Sequence, residues 1–312
     1  MSKPLDRLTL LETFVRIADR GAISAAARDL GLSQASASRQ LKELETRMRA
    51  QLMQRTTHSL SLTAAGQALL VDARGLLAGW DALEERHVET EGTLRGRVKV
   101  VAPLALGQGQ LLDVALGFQR EHPAVTLDWT LTDDGIRFAE VGCDCWVKIG
   151  AVPDERLVVR PLGRVERLVV LAPELASSCD VTDPEALFAL PFIALSAFEG
   201  GAIRLTHADG QQVTVAPPLA LVTNNIVAQK QAARLGAGAA ILPRWFVADE
   251  LAAGTLDHAL PDWRAATLDI NLAYLPGSHR PKRLTLFLEA LAAGVAALPG
   301  VEPYRRPPSQ AL

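Results

Sequence analysis

The chain reads as a multidomain protein: an N-terminal all-α helix-turn-helix with a short wing, a long linker helix, and a C-terminal α/β body in two lobes. Three observations predict this. Apolar residues recur at helical spacing through residues 8–48, with interruptions at glycine. A seam of large apolar residues in steps of four and three follows a short β-prone stretch. From Arg95 onward, strand-like runs alternate with helical runs, the texture of parallel strands joined by crossover helices.

Leu8, Leu11, Phe14, Val15 and Ala18 predict a first amphipathic helix that stops at Gly21. Ser24 is expected to cap a short second helix, Ala25 to Leu30. Gly31 permits a tight turn, Leu32 enters the core, and Ser33 caps a third helix running to about Met48. Its buried stripe is Ala37, Leu41, Leu44 and Met48, and the whole is a helix-turn-helix pattern. Residues 52–62, interrupted by Thr57-His58-Ser59, predict a two-stranded wing. Thr63 caps the next helix, on which Leu69, Ala73, Leu76, Trp80, Leu83 and His87 form the seam of a dimerising helix.

In the body, RVKVVAP, VTLDWTLT, CDCWVKIG and RLVVLAP read as strands, and residues 107–121 as a helix. Strand and helix runs lie on both sides of about Gly163, and LDINLAYL with RLTLFLEALAAGVAAL returns to the first lobe. The expected domains are therefore 1–62, a linker helix 63–92, and a two-lobed body 93–300. Lobe one takes 93–163 and 268–300, lobe two takes 164–267, and residues 301–312 are expected to be a disordered tail.

Composition narrows the function classes. Half of the 312 residues are apolar, enough for a sizeable core, and the formal charge is −3. Residues 1–62 hold ten Lys/Arg against six Asp/Glu, so a basic N-terminal module sits on an acidic body. Three cysteines give no disulfide framework and suggest a reducing compartment, and the N-terminus has no signal-peptide pattern. A cytoplasmic protein without a membrane segment is expected. Cys143 and Cys145 are expected to share a strand face as core residues; with no further ligands nearby, no metal or cofactor is anticipated.

Residues 8–70 resemble the LysR family of transcriptional regulators. The matching stretch is FVRIADRGAISAAARDLGLSQASASRQLKELE followed by RTTHSLSLTAAGQALL. The resemblance continues to about residue 300 through REHPAVTLDWTLTD, CDCWVKIG (similar to the family's D-x-A-I-R-x-G strand) and AARLGAGAAILPRWFVADELAAGTLDHALPDW. It implies two α/β lobes, like those of periplasmic solute-binding proteins, with a ligand cleft between them. Ala35, Arg49, Met53 and His58 depart from residues frequent in the family, as do Leu104 and Ala105 where many relatives carry Ser or Thr.

On this reading the third helix enters a major groove. Gln34, Ala35, Ser36, Ser38 and Arg39 face base edges, and Gln and Arg suit bidentate pairing with adenine and guanine. Ser24 lies near a phosphate, Ser33 and Lys42 are further expected DNA contacts, and Arg55, Thr56 and His58 bring the wing to the backbone or the minor groove. The expected partners are double-stranded DNA with an interrupted inverted repeat, a second copy of the chain in a dimer or tetramer, and RNA polymerase when activating. Leu104, Ala105, Thr132, Ile149, Gly150, Ser196 and Asn224 are the expected effector contacts. A carboxylate-bearing small molecule is the candidate, bound at a helix start near Leu106. Two other readings compete: a solute-binding protein with an N-terminal extension, and an enzyme built on the lobes. The full winged module and the missing signal peptide oppose the first. The absence of G-x-S-x-G, Walker A and H-E-x-x-H patterns opposes the second.

Overall fold

The computed structural model describes residues 6–55, 60–87, 93–178, 181–196, 202–276 and 280–304. The N-terminal module packs α1 (Arg7–Arg20), α2 (Ile23–Asp29) and α3 (Gln34–Met48) against a wing of β1 (Met53–Arg55) and β2 (Leu60–Leu62). The long helix α4 (Ala64–His87) follows. The buried stripe of α1 is Leu10, Leu11, Phe14 and Ile17, rotated by about one residue from the sequence expectation, and Gly21 ends the helix at φ 62°. Helix α2 begins earlier than expected: Ala22 is its N-cap and Ser24 lies inside its first turn. Gly31 turns the chain at φ 64°, and Leu32 packs on the module core as expected.

Helix α3 buries Ala37, Leu41 and Leu44, but Met48 is exposed because the helix ends there in a left-handed Arg49 and the chain turns away. Two polar contacts explain motif residues. The Thr13 hydroxyl donates to Gln40 Oε1 inside the core, joining α1 to α3. Thr63 Oγ1 accepts Gly66 N–H and donates to Gln51 O, which fixes the start of α4 against the wing. A Cβ at Gly66 would overlap the Leu52 carbonyl, so only glycine allows this close approach.

The seam on α4 divides. Ala73 is buried in the module's own core, where Leu69 also packs, whereas Leu76, Trp80 and Leu83 are 60%, 42% and 38% exposed. The first turns of α4 therefore serve their own domain, and an apolar stripe that no described residue covers begins at Leu76.

Lobe one starts with β3 (Gly96–Ala102), α5 (Leu104–Gln108), α6 (Gln110–Glu121), β4 (Val125–Leu131), α7 (Phe138–Val141), β5 (Cys145–Ile149) and β6 (Val158–Val165). Lobe two holds β7 (Arg167–Leu171), α8 (Pro173–Ser178), a 3-10 turn (Pro184–Ala189), β8 (Phe192–Leu195), β9 (Ile203–His207) and β10 (Gln212–Val215). It continues with β11 (Leu219–Thr223), α9 (Ile226–Arg234), β12 (Ala239–Pro243), α10 (Arg244–Ala252), β13 (Asp257–Ala259) and β14 (Trp263–Ala265). The chain returns to lobe one with β15 (Leu268–Tyr274), α11 (Lys282–Ala296) and β16 (Val301–Pro303).

The lobe-one sheet has the order β16-β6-β15-β5-β3-β4, and the main lobe-two sheet β11-β8-β12-β7-β13. Both are mixed. Strands β3, β4 and β5 run parallel, as do β11, β8 and β12, while the strands that cross between lobes pair antiparallel. A separate antiparallel sheet, β10-β9-β14, goes beyond the sequence expectation. The lobe boundary lies after Val165, since β6 continues past Gly163. Arg167 Nε donates to Ala266 O at 2.8 Å, tying one crossover to the other. Trp245, Phe246 and Ile226 of lobe two pack on the lobe-one cluster. The expected disordered tail needs correction: Val301–Pro303 pair with Gly163–Val165, because Glu166 N–H donates to Gly300 O and delivers the chain to the free sheet edge. Residues 305–312 lie outside the described residues.

Candidate nucleic-acid interface and lobe junction

The exposed side of α3 is set by what its other side buries. Ala37, Gln40, Leu41 and Leu44 point inward, leaving Gln34, Ala35, Arg39 and Lys42 exposed and Ser36 and Ser38 half-buried. Ser33 is the N-cap, its hydroxyl accepting Ser36 N–H at 3.1 Å. Arg39 Nη2 donates to Ser36 Oγ at 3.4 Å, a long contact that leaves guanidinium donors for another partner. Ser24 is exposed on α2. The backbone of Arg55 pairs with Leu60, whereas Thr56 and His58 lie outside the described residues. Sequence reasoning gives Glu45 no role beyond its place in the motif, yet it accepts Leu52 N–H at 2.9 Å and Met53 N–H at 3.2 Å, so the end of α3 holds the wing base. The available signal is a carboxylate one turn before the helix end, facing a segment that starts with unpaired strand N–H groups.

In lobe one the expected effector residues come together. Leu104 and Ala105, Thr132, and Ile149-Gly150 follow three parallel neighbours, β3, β4 and β5, so all lie at one end of the sheet. Thr132 N–H donates to Ala102 O, and its Oγ1 accepts Asp134 N–H at 3.1 Å. Gly150, at φ 85°, donates to Asp269 O and accepts Asn271 Nδ2, so it is a fixed corner of the crossover. Ala105 is buried in the lobe core, which removes its side chain from any ligand face.

The anion site expected at the start of this helix does not survive. Helix α5 has five residues and begins at Leu104 rather than near Leu106. Asp133 Oδ1 already accepts the Leu104 N–H at 2.9 Å. Lys148 is a charged neighbour of these strand ends that sequence reasoning misses. It sits where the strand motif has Arg, donates to Asp133 O at 3.1 Å, and stands 5.6 Å from the Trp146 ring centroid.

In lobe two, Ser196 follows β8 and Asn224 follows β11, the neighbouring parallel strand, and Ser196 N–H donates to Thr223 O. Both are exposed. The helix cap is Asn225, not Asn224: Asn225 Oδ1 accepts Val227 and Ala228 N–H. Two surface cavities of about 430 and 550 Å³ flank α8 instead, and neither is lined by any of these residues.

The two thiols of Cys-x-Cys do not share a face. Strand β5 begins only at Cys145, so alternation does not reach Cys143; Cys145 joins the main lobe-one core and Cys143 a separate cluster with Trp146 and Phe138. Burial pushes the Cys143 thiol up to about 12 and Cys145 well above the usual range, with the neighbouring Asp144 adding to both. Asp144 is itself raised by burial, although its carboxylate accepts Lys99 N–H at 2.7 Å. Among the described residues no helix is long and apolar enough to cross a membrane.

Comparison with known proteins agrees with this architecture. Residues 8–67 match the bacterial regulatory helix-turn-helix of the lysR family, and residues 91–296 match the LysR substrate binding domain. The chain belongs to the LysR family of transcriptional regulators. It is 29% identical to the transcriptional regulator PtxR of Pseudomonas aeruginosa, over 98% of both chains. In fold it is similar to a full-length OxyR variant from Pseudomonas aeruginosa (TM-score 0.72, 16% identity, 98% of this chain and 100% of that one). The full-length Vibrio cholerae virulence activator AphB gives a TM-score of 0.59 at 21% identity, covering 92% of this chain and 99% of that one. Both the matched helix-turn-helix family and PtxR are described as regulatory.

Proposed function

We propose that the chain is a ligand-responsive regulator that reads an interrupted inverted repeat as a dimer. Two copies joined through Leu76, Trp80 and Leu83 present two α3 helices, and two-fold symmetry in the protein requires a matching symmetry in the DNA. Gln34, Ala35, Ser36, Ser38 and Arg39 meet base edges. Ser24, Ser33, Lys42 and the wing residues Arg55, Thr56 and His58 meet the backbone. The observation that carries this reading is the polar, outward-facing first half of α3, held rigid by Ser33, Gln40 and Glu45.

A small organic effector binds where the parallel strands of both lobes end, touching Leu104, Thr132, Ile149, Gly150, Ser196 and Asn224, with Lys148 available to a polar group. It acts only through a difference in affinity for two lobe arrangements. When it activates, the protein also contacts RNA polymerase. Genome-wide footprinting with purified full-length protein is the test. Enrichment of an inverted repeat, and loss of that enrichment for Arg39→Ala by roughly 1–3 kcal/mol of affinity, is the expected result. Binding without sequence preference overturns the assignment; affinity and preference both unchanged in Arg39→Ala remove Arg39 from the reading set. The genes beside the sites then supply metabolites to screen for thermal stabilisation of the wild type but not of Thr132→Val/Asn224→Leu.

A further inference from the structure

We infer that Asp19 is the centre of an ionic latch that clamps the DNA-reading module to lobe one of its own chain and holds DNA affinity down. Asp19 sits near the end of α1. One carboxylate oxygen pairs with the Arg74 guanidinium from α4, and the other accepts Lys99 Nζ of β3 at 3.0 Å. The three side chains come from three different parts of the molecule: reading module, linker helix and effector lobe. They are largely withdrawn from solvent, with side-chain exposures of 14% for Asp19, 12% for Arg74 and 28% for Lys99.

The surroundings are shaped for the contact. The Arg74 guanidinium lies so close over Gly142, at φ 66° after α7, that a Cβ there would overlap it. Helix α7 rests against α4 and α1. Gln67 Nε2 reaches Glu140 Oε1 at 3.2 Å, and Arg283 of α11 reaches Asp81 of α4 at 2.9 Å, so the linker helix meets lobe one at three places along its length. None of these contacts uses the exposed residues of α3. The latch therefore does not hide the reading face; it fixes its direction.

The position of Lys99 links this latch to the lobe junction. Lys99 and Leu104 lie five residues apart along β3 and the turn after it, roughly 17 Å at strand rise. Strand β3 pairs with β5, which ends at Ile149. A shift of β3 relative to β5 at the junction end is carried by a rigid strand to Lys99, midway along β3, and from there directly to α1. This route is distinct from a change in spacing passed along the linker helix. Clamped modules resist the reorientation that two half-sites demand of a dimer, so breaking the latch raises affinity. The inference rests on the DNA-binding reading above.

The experiment measures affinity for a selected operator, and for operators with half-site spacing changed by a few base pairs, using full-length wild type, Lys99→Glu and Lys99→Met. Arg97→Glu is the charge control, since Arg97 is on the same strand and its exposed side chain pairs with Asp128 at 3.5 Å. Lys99→Glu sets two carboxylates against each other, yet it also makes the protein more acidic, which by itself weakens DNA binding. An increase of about three- to tenfold for Lys99→Glu, a smaller increase for Lys99→Met, none for Arg97→Glu, and a reduced penalty for altered spacing support the latch. Faster amide exchange in α1 and α7 should accompany them. Unchanged or weaker binding by both Lys99 variants, with wild-type exchange in α1 and α7, overturns it. If the wild type itself shows no sequence preference, the DNA-binding reading fails instead, and exchange in α1 and α7 still decides whether the latch exists.

Discussion

The carboxylate of Asp133 accepts the backbone N–H of Leu104 at 2.9 Å, at the helix start where the sequence points to a ligand anion. A free helix start attracts an anion, but here the chain's own Asp133 carboxylate already holds the first N–H, that of Leu104. The structural basis for a carboxylate-bearing effector at that point is thereby removed. Asp133→Ala should lower stability by roughly 1 kcal/mol, as for loss of a helix cap, and Asp133→Asn by clearly less because its amide oxygen still accepts. Urea unfolding of both variants checks this. Equal losses would show that the bond contributes nothing.

Gly66 permits a close approach between α4 and the wing that no side chain tolerates. Gly66→Ala should destabilise the N-terminal module by about 1–3 kcal/mol, since the obstacle is the Leu52 backbone carbonyl and not a movable side chain. Thermal unfolding should show an earlier transition for the module, and DNA affinity should fall with it. A variant with unchanged melting and affinity would mean that α4 shifts freely against the wing.

Legibility in the sequence follows the range of the interaction. The α3 cap at Ser33 and the turns at Gly21 and Gly31 are local chemistry, and they are readable. So is the convergence of Leu104, Thr132 and Gly150, because parallel strands with crossovers must end together. The start of α2 is misleading because Ser24 is a good cap in isolation, yet Ile23 must face the core and pulls the helix start to Ala22. Helical periodicity alone does not say whether a stripe packs on its own domain or another, so the change at Leu76 is invisible. Asp133 and the Asp19–Lys99 pair join residues far apart in sequence with no shared pattern, and Lys148 holds a motif position whose partner, Asp133, the motif does not name. Strand β16 lacks a signal because three residues are too few to show alternation.

The exposed stripe on α4 sharpens the dimer expectation. Because Leu76 and Leu83 do not contribute to the buried module core, Leu76→Glu/Leu83→Glu should leave the single chain folded. In an assembly the same change buries charges without partners, a severe penalty. Sedimentation should show the variant as a smaller species with native circular dichroism and weakened operator binding. Intact assembly of the folded variant would locate the interface elsewhere.

The two buried thiols give a pH dependence with a definite sign. Cys143 ionises near 12 in the folded protein against about 9 for a free thiol, mainly because burial disfavours the thiolate. Cys145 is shifted in the same direction by the same cause. The neutral thiol is the form the native core accepts. Below pH 9 both folded and unfolded chains keep the proton, and the contribution is fully present. As pH rises from 9 towards 12, the unfolded chain releases protons that the folded chain retains, so stability falls by roughly 1.4 kcal/mol per pH unit for Cys143, and Cys145 adds a loss of the same sign. The comparison is with Cys143→Ala/Cys145→Ala, whose stability should decline less steeply from pH 9 to 11. Alkylation gives a second readout in a Cys179→Ser background. At pH 8 iodoacetamide should modify Cys143 and Cys145 in urea and leave both untouched in the native protein. Modification of either at comparable rates in the folded state would show an accessible thiolate and overturn the assignment of both as inert core residues.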